Sequence, residues 1–94
     1  MGNHSDIIFQ QLQVGLNENC SIASQIAEQI RWLIVINEIK AGDVLPSIRS
    51  LADHLNVNLH TVRAAYRLLE ESNMVATRRG LGSVVLNYDP STTI

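Results

Sequence analysis

The run Leu45-Pro46-Ser47-Ile48-Arg49-Ser50-Leu51-Ala52, continuing through Asn56-Val57-Asn58-Leu59-His60-Thr61-Val62-Arg63-Ala64-Ala65-Tyr66, constrains the fold of this chain more than any other feature. It holds two helix starts with one break between them. Ser47 is an N-cap, and Pro46 keeps helix from beginning earlier. Ile48, Leu51, Ala52 and Leu55 make the apolar stripe of the first helix. Asn56 is suited to end it in the left-handed conformation, and Asn58 to cap the next. In that next helix Val62, Ala65, Tyr66 and Leu69 face inward. His60, Arg63 and Arg67 recur at i, i+3 and i+7 and share an outer face. Two short helices joined by a tight turn, the second with a polar, basic face, form the helix-turn-helix layout, whose second helix fits the major groove of DNA.

The flanks extend this layout. Ser21 caps a helix in which Ile22, Ile26, Ile30 and Leu33 fall at helical spacing, with Ile34, Val35 and Ile36 widening the stripe. Gly42 and Asp43 break that pattern, and Val44-Leu45 can pair as a very short strand. Asn73 is a second left-handed stop. Met74–Arg78 and Ser83–Leu86 are short β-prone runs around a Gly-containing turn and predict a hairpin. The expected fold is mainly α with a small β-hairpin, a winged helix-turn-helix of three core helices plus a wing. It occupies residues 21–87. Residues 1–20 read as an N-terminal arm or a short extra helix built on Ile7, Ile8, Phe9 and Leu12, and residues 88–94 as a linker or tail.

Charge position matters more than its sum. The chain of 94 residues carries a formal net charge of -2, which taken alone argues against a polyanionic partner. Up to Leu45, Arg31 and Lys40 face Asp6, Glu18, Glu28, Glu38 and Asp43. From Pro46 to Ser83, Arg49, Arg63, Arg67, Arg78 and Arg79 outnumber Asp53, Glu70 and Glu71. A local basic face steers onto phosphates even where total charge is unfavourable. The single cysteine, Cys20, excludes an internal disulfide framework and fits a reducing cytoplasm. No secretory signal is visible, and the apolar run Trp32–Ile36 is too short to span a bilayer, so no membrane is expected.

The span from Ile22 to Val85 resembles the DNA-binding domain of the GntR family of bacterial transcription regulators. The matching words are Gln25-Ile26-Ala27-Glu28-Gln29-Ile30, Gly42-Asp43-Val44-Leu45-Pro46-Ser47-Ile48-Arg49-Ser50-Leu51-Ala52, Thr61-Val62-Arg63-Ala64-Ala65-Tyr66 and Arg79-Gly80-Leu81-Gly82. The Val57-Asn58 and Ala65-Tyr66 wording is most similar to the YtrA-like and MocR-like branches. Ala41 stands where the family usually has Pro, Asn56 and Asn73 where Gly is usual, and Leu59 where several members place a polar or basic DNA-contacting residue. The resemblance implies a homodimer on a palindromic double-stranded operator, with a small-molecule effector acting through a region absent from this chain. A region of that kind normally follows the wing, so the chain reads as an excised domain or an unusually short member.

The candidate DNA-binding residues are Ser47, Arg49, Asn58, Leu59, His60, Thr61, Arg63, Arg67, Arg78, Arg79, Gly80 and Gly82. The resemblance implies that Arg49, beside the Ser47 cap, meets the DNA backbone or a base near the helix-turn-helix entrance. A guanidinium can grip a phosphate bidentately. Asn58, Leu59, His60 and Thr61 crowd a helix N-terminus, where free N–H groups and the dipole attract phosphate. Asn58 acting only as a cap is the plainer reading there. Arg63 matches a family Arg on the recognition helix and is suited to guanine O6 and N7; the alternative is a pair with Glu70. Arg67 is a phosphate clamp or a partner for Glu71. Arg78 and Arg79 precede a two-glycine tip that lets backbone approach closely and an Arg enter the minor groove. The alternative is an ordinary hairpin on a solvated edge.

Other chemistries find little support. Tyr66 and Trp32 read as core or near-core aromatics. His4, His54 and His60 with Cys20 lack zinc-type spacing, and no recognisable nucleophile motif ties a Ser, a His and an Asp together. No catalytic residue, metal or cofactor is expected. The glycines near Arg79 are followed by a strand, not by the helix that a phosphate-binding loop needs. The competing reading is a winged helix that contacts protein and has no specific DNA binding.

Overall fold

A computed structural model describes residues 6–15 and 20–86. Residues 1–5 and 16–19 of the expected arm, and the expected tail, lie outside the described residues. The element order is α1 (Ile7–Gln11), α2 (Ile22–Val35), α3 (Ile48–Leu55), α4 (Leu59–Glu71), β1 (Val75–Arg78) and β2 (Gly82–Val85). The helix-turn-helix is α3 and α4, and the hairpin is the wing.

Each helix start is set by a short polar side chain. Ser21 Oγ accepts from Ser24 N at 3.0 Å, Ser47 Oγ from Ser50 N at 3.0 Å, and Asn58 Oδ1 from His60 N at 2.7 Å. Each cap residue has extended backbone, so its oxygen faces the otherwise unbonded amides of the first turn.

The helix ends share one device. Asn37, Asn56 and Asn73 all have left-handed φ, at 67°, 57° and 61°. Around Asn56, its own N–H reaches Asp53 O at 3.3 Å and the next N–H, of Val57, reaches Ala52 O at 3.0 Å. The same pair of bonds closes α2 (Asn37 to Ile34, Glu38 to Leu33) and α4 (Asn73 to Glu70, Met74 to Leu69). This is the Schellman arrangement, with Asn in the place that glycine usually fills. Asn37 belongs to the set, a stop that the sequence pattern does not mark.

The core forms where the three long helices meet the wing. Ile26, Ile30, Leu51, Val62, Val75 and Val85 are fully buried, and Ile39 and Leu69 join them. Burying each such side chain stabilises the fold by about 1.5–3 kcal/mol before entropy is charged. Ile8 and Leu12 are also buried, so α1 packs on this body. The Phe9 ring meets the His54 ring edge-on at 5.1 Å. After α1 the chain runs along α2, held by two glutamines. Gln29 Oε1 accepts from Gln13 N at 3.1 Å while its Nε2 donates to Gln13 O at 2.6 Å. Gln25 does the same for Gly15, at 3.0 and 2.8 Å. Two side chains one helical turn apart therefore imitate the neighbouring strand of a sheet.

The wing is an antiparallel pair in the register Val75↔Val85, Ala76↔Val84, Thr77↔Ser83 and Arg78↔Gly82. Val44 bridges Val84 on the other edge of β2, with Leu45 N bonded to Ser83 O at 2.8 Å. The short strand expected at Val44-Leu45 is thus a single bridge that anchors the base of the wing.

Three apolar expectations fail. Trp32 is 60% exposed, and Val35 and Ile36 are also open to solvent. Ile26, Ile30 and Leu33 set the buried phase of α2. At about 100° per residue, Trp32 lies about 200° beyond Ile30 and Val35 about 200° beyond Leu33. Leu33 and Ile34 of that run stay inside.

Candidate nucleic-acid interface

The site is built on α4, whose inward stripe Val62, Ala65, Tyr66 and Leu69 is buried. Holding that stripe inside forces His60, Arg63 and Arg67 outward, and all three are exposed. Arg63 Nη1 lies 3.1 Å from His60 Nδ1, so these two side chains form one head near the helix N-terminus. Thr61 is half-buried beside them. Asn58 spends its Oδ1 on the cap. Leu59 is half-buried and packs against the core, so only part of it faces out.

Arg49 projects from the first turn of α3 and is exposed. The Ser47 hydroxyl is committed to its own helix: it accepts from Ser50 N and donates to Ser50 Oγ at 2.9 Å. Its position is fixed by Tyr66, whose hydroxyl donates to Pro46 O at 2.6 Å. Burial pushes the Tyr66 phenol well above its ordinary range, so it remains a donor.

The wing tip borders the same side of the molecule. A cleft of about 290 Å³ is lined by Ser47 and Ile48 from α3, Tyr66 from α4, and Thr77, Leu81 and Gly82 from the wing. Gly80 and Gly82 have φ of +81° and +101°, conformations that a side chain rarely adopts, and no atom crowds Gly80. Arg78, Arg79 and Leu81 are exposed around them, Leu81 at 62%. β1 is tied back to α4 by a hydrogen bond from the Thr77 hydroxyl to Glu70.

That bond answers one alternative. Glu70 partners Thr77, and among the described residues Arg49, Arg63, Arg67, Arg78 and Arg79 make no ion pair. One ion pair, Arg31 with Glu28 at 3.4 Å, lies on α2. The structure thus brings Arg49, the His60–Arg63 head and the wing tip onto open surface, with Ser47 and Asn58 behind them as caps. Sequence reasoning missed the exposed Leu81 between the two glycines, although its apolar character in a polar turn was a usable signal. No group of His, Cys, Asp and Glu among the described residues is placed to hold a metal ion. No described helix is long and apolar enough to cross a membrane.

The sequence profile of the bacterial regulatory proteins of the gntR family matches residues 22–85. The chain belongs to the GntR family. It is 41% identical over 61 residues to YhcF of Bacillus subtilis, an uncharacterized HTH-type transcriptional regulator, covering 65% of this chain and 50% of that one. It is 32% identical over 83 residues to YtrA of the same organism, an HTH-type transcriptional repressor, covering 88% and 64%. Among solved structures, YtrA from Sulfolobus acidocaldarius, a GntR-family transcription factor, superposes with a TM-score of 0.77 at 38% identity, covering 83% of this chain and 82% of that one. The chain spans between half and two thirds of the length of the two Bacillus relatives. The GntR winged helix-turn-helix therefore has α3 and α4 as its helix pair and the β1–β2 hairpin as its wing.

Proposed function

We propose that this GntR-family chain binds double-stranded DNA sequence-specifically as the reading part of a transcription regulator. α4 enters the major groove and the wing touches the adjacent minor groove. The observation that carries this is the set of exposed arginines on α3, α4 and the wing with no carboxylate partner among the described residues. Cations left open in this way are available to phosphates, and a protein that neutralises phosphates releases condensed counterions. Arg49 and Arg67 serve as phosphate contacts, His60, Thr61 and Arg63 face base edges, and Arg78 and Arg79 flank the glycine tip at the minor groove. Ser47 and Asn58 hold the two helix starts against the backbone, with Leu59 seating α4, and Gly80 and Gly82 let the wing backbone approach.

In this reading two copies occupy the half-sites of a palindromic operator in the bacterial cytoplasm. A small molecule acting on a region outside this chain shifts the pair between competent and incompetent spacings. Repression is the mode named for YtrA of Bacillus subtilis, and it extends naturally to a domain that occludes its operator.

Selection of bound sequences from a random duplex pool at physiological salt tests the proposal. A recurrent half-site, present as an inverted repeat, is the expected result. No enrichment by a chain shown to be folded overturns it and favours a winged helix that contacts protein.

A further inference from the structure

Arg63 and His60 sit one turn apart on α4, with Arg63 Nη1 3.1 Å from His60 Nδ1. A guanidinium offers donors and no acceptor, so Arg63 donates and Nδ1 holds the lone pair. The neutral imidazole then keeps its proton on Nε2. His60 thereby presents a donor on the side of the ring turned away from Arg63. Arg63 commits one N–H to the pair and keeps the rest of its fork.

The surroundings supply almost nothing but donors. Asn58 Oδ1 accepts from His60 N, which leaves the Asn58 amide NH₂ as a further donor. The first turn of α4 contains no acidic residue. Within that turn the Thr61 hydroxyl is the one side chain with a free acceptor. The head thus presents donors from two side chains side by side.

We propose that His60 is a specificity-determining residue of α4 that holds Arg63 in place to read guanine and adds one donor of its own, which suits a base with a major-groove acceptor and rejects cytosine. This rests on α4 being the DNA-reading helix, as argued above. Guanine shows two acceptors, N7 and O6, in the major groove, and thymine shows O4. Adenine shows an acceptor, N7, beside its amine, so it fits the single donor of His60 but not the two-donor fork of Arg63; cytosine shows only an amine and meets donor with donor. His60 has two tasks: it aims Arg63 through Nδ1 and reads through Nε2–H.

The test is the random-pool selection run with the wild-type chain and with Arg63→Ala, His60→Ala and His60→Gln, each first shown to be helical and to unfold cooperatively. Arg63→Ala locates the base read by Arg63, which is expected to be guanine. His60→Ala is expected to lose about tenfold discrimination against cytosine at the base it meets and to broaden the Arg63 position as well. His60→Gln, which retains both an acceptor and a donor, is expected to restore the Arg63 position. A base other than guanine at the Arg63 position, or cytosine at the His60 position, overturns the proposal and leaves the DNA-reading role standing. So does a His60→Ala profile that matches the wild type while affinity drops uniformly. A wild-type chain that enriches nothing overturns the DNA-reading role and this proposal with it.

Discussion

The Tyr66 hydroxyl donates a 2.6 Å hydrogen bond to the carbonyl of Pro46, joining the middle of α4 to the residue just before the α3 cap. Arg49, on α3, and Arg63, on α4, are therefore held in one frame by a bond that neither of them makes. Tyr66→Phe keeps the buried ring and strands the Pro46 carbonyl. The expected cost is about 1 kcal/mol, seen as a lower urea midpoint with an unchanged slope. An unchanged midpoint would mean that water replaces the bond without loss.

The same phenol sets an alkaline limit. Burial raises its folded pKa above the unfolded value, so in alkali the unfolded chain releases its proton first. The sign is then fixed: stability is unaffected below about pH 10 and falls as pH rises beyond it. Denaturant melts between pH 8 and pH 11 should show this decline, and Tyr66→Phe should flatten it. An equal decline in the variant would assign the effect to other groups.

The asparagines that end α2, α3 and α4 are in left-handed conformation. Asn56→Ala should cost about 1 kcal/mol because a Cβ without a local hydrogen-bonding group is strained there. Asn56→Gly should be neutral or slightly stabilising. Thermal melts of the two variants give the ordering Gly at or above Asn, with Ala below both. Ala equal to Asn would contradict the Schellman assignment.

Gln25 and Gln29 hold the backbone of Gly15 and Gln13 along α2. Gln29→Ala should speed amide exchange at Gln13, with the α4 amides unaffected. Exchange at Gln13 that stays slow would show that the buried Ile8 and Leu12 fix this segment without the clip.

Arg79 is exposed beside the wing glycines and makes no ion pair among the described residues. Arg79→Ala should weaken operator binding on all sequences alike and reduce the slope of log affinity against log salt by about one. Unchanged affinity at physiological salt would remove the wing from the interface.

Local chemistry made much of this legible. The caps at Ser21, Ser47 and Asn58, the stops at Asn56 and Asn73 and the buried stripe of α4 follow from residue type and a 3.6-residue period, and each is present. The exposure of Trp32 was not legible, because a run as apolar as Trp32–Ile36 hides its own phase and only the neighbours of α2 fix it. Asn37 directly follows that run, so its place as a helix stop is hidden along with the phase. The His60–Arg63 spacing was visible, but the hydrogen bond between them depends on side-chain torsions that no pattern encodes. Glu70 read as a partner for Arg63 by spacing, whereas tertiary contact gives it Thr77 on the wing.

The most direct test of the central claim is the affinity of the chain for its selected duplex against a scrambled duplex of the same composition, both at physiological salt. A sequence-reading α4 predicts a preference of at least about a hundredfold, since each well-read base pair contributes about 1–3 kcal/mol. Equal affinity for the two duplexes would contradict it, leaving only a basic surface that holds phosphate without reading sequence.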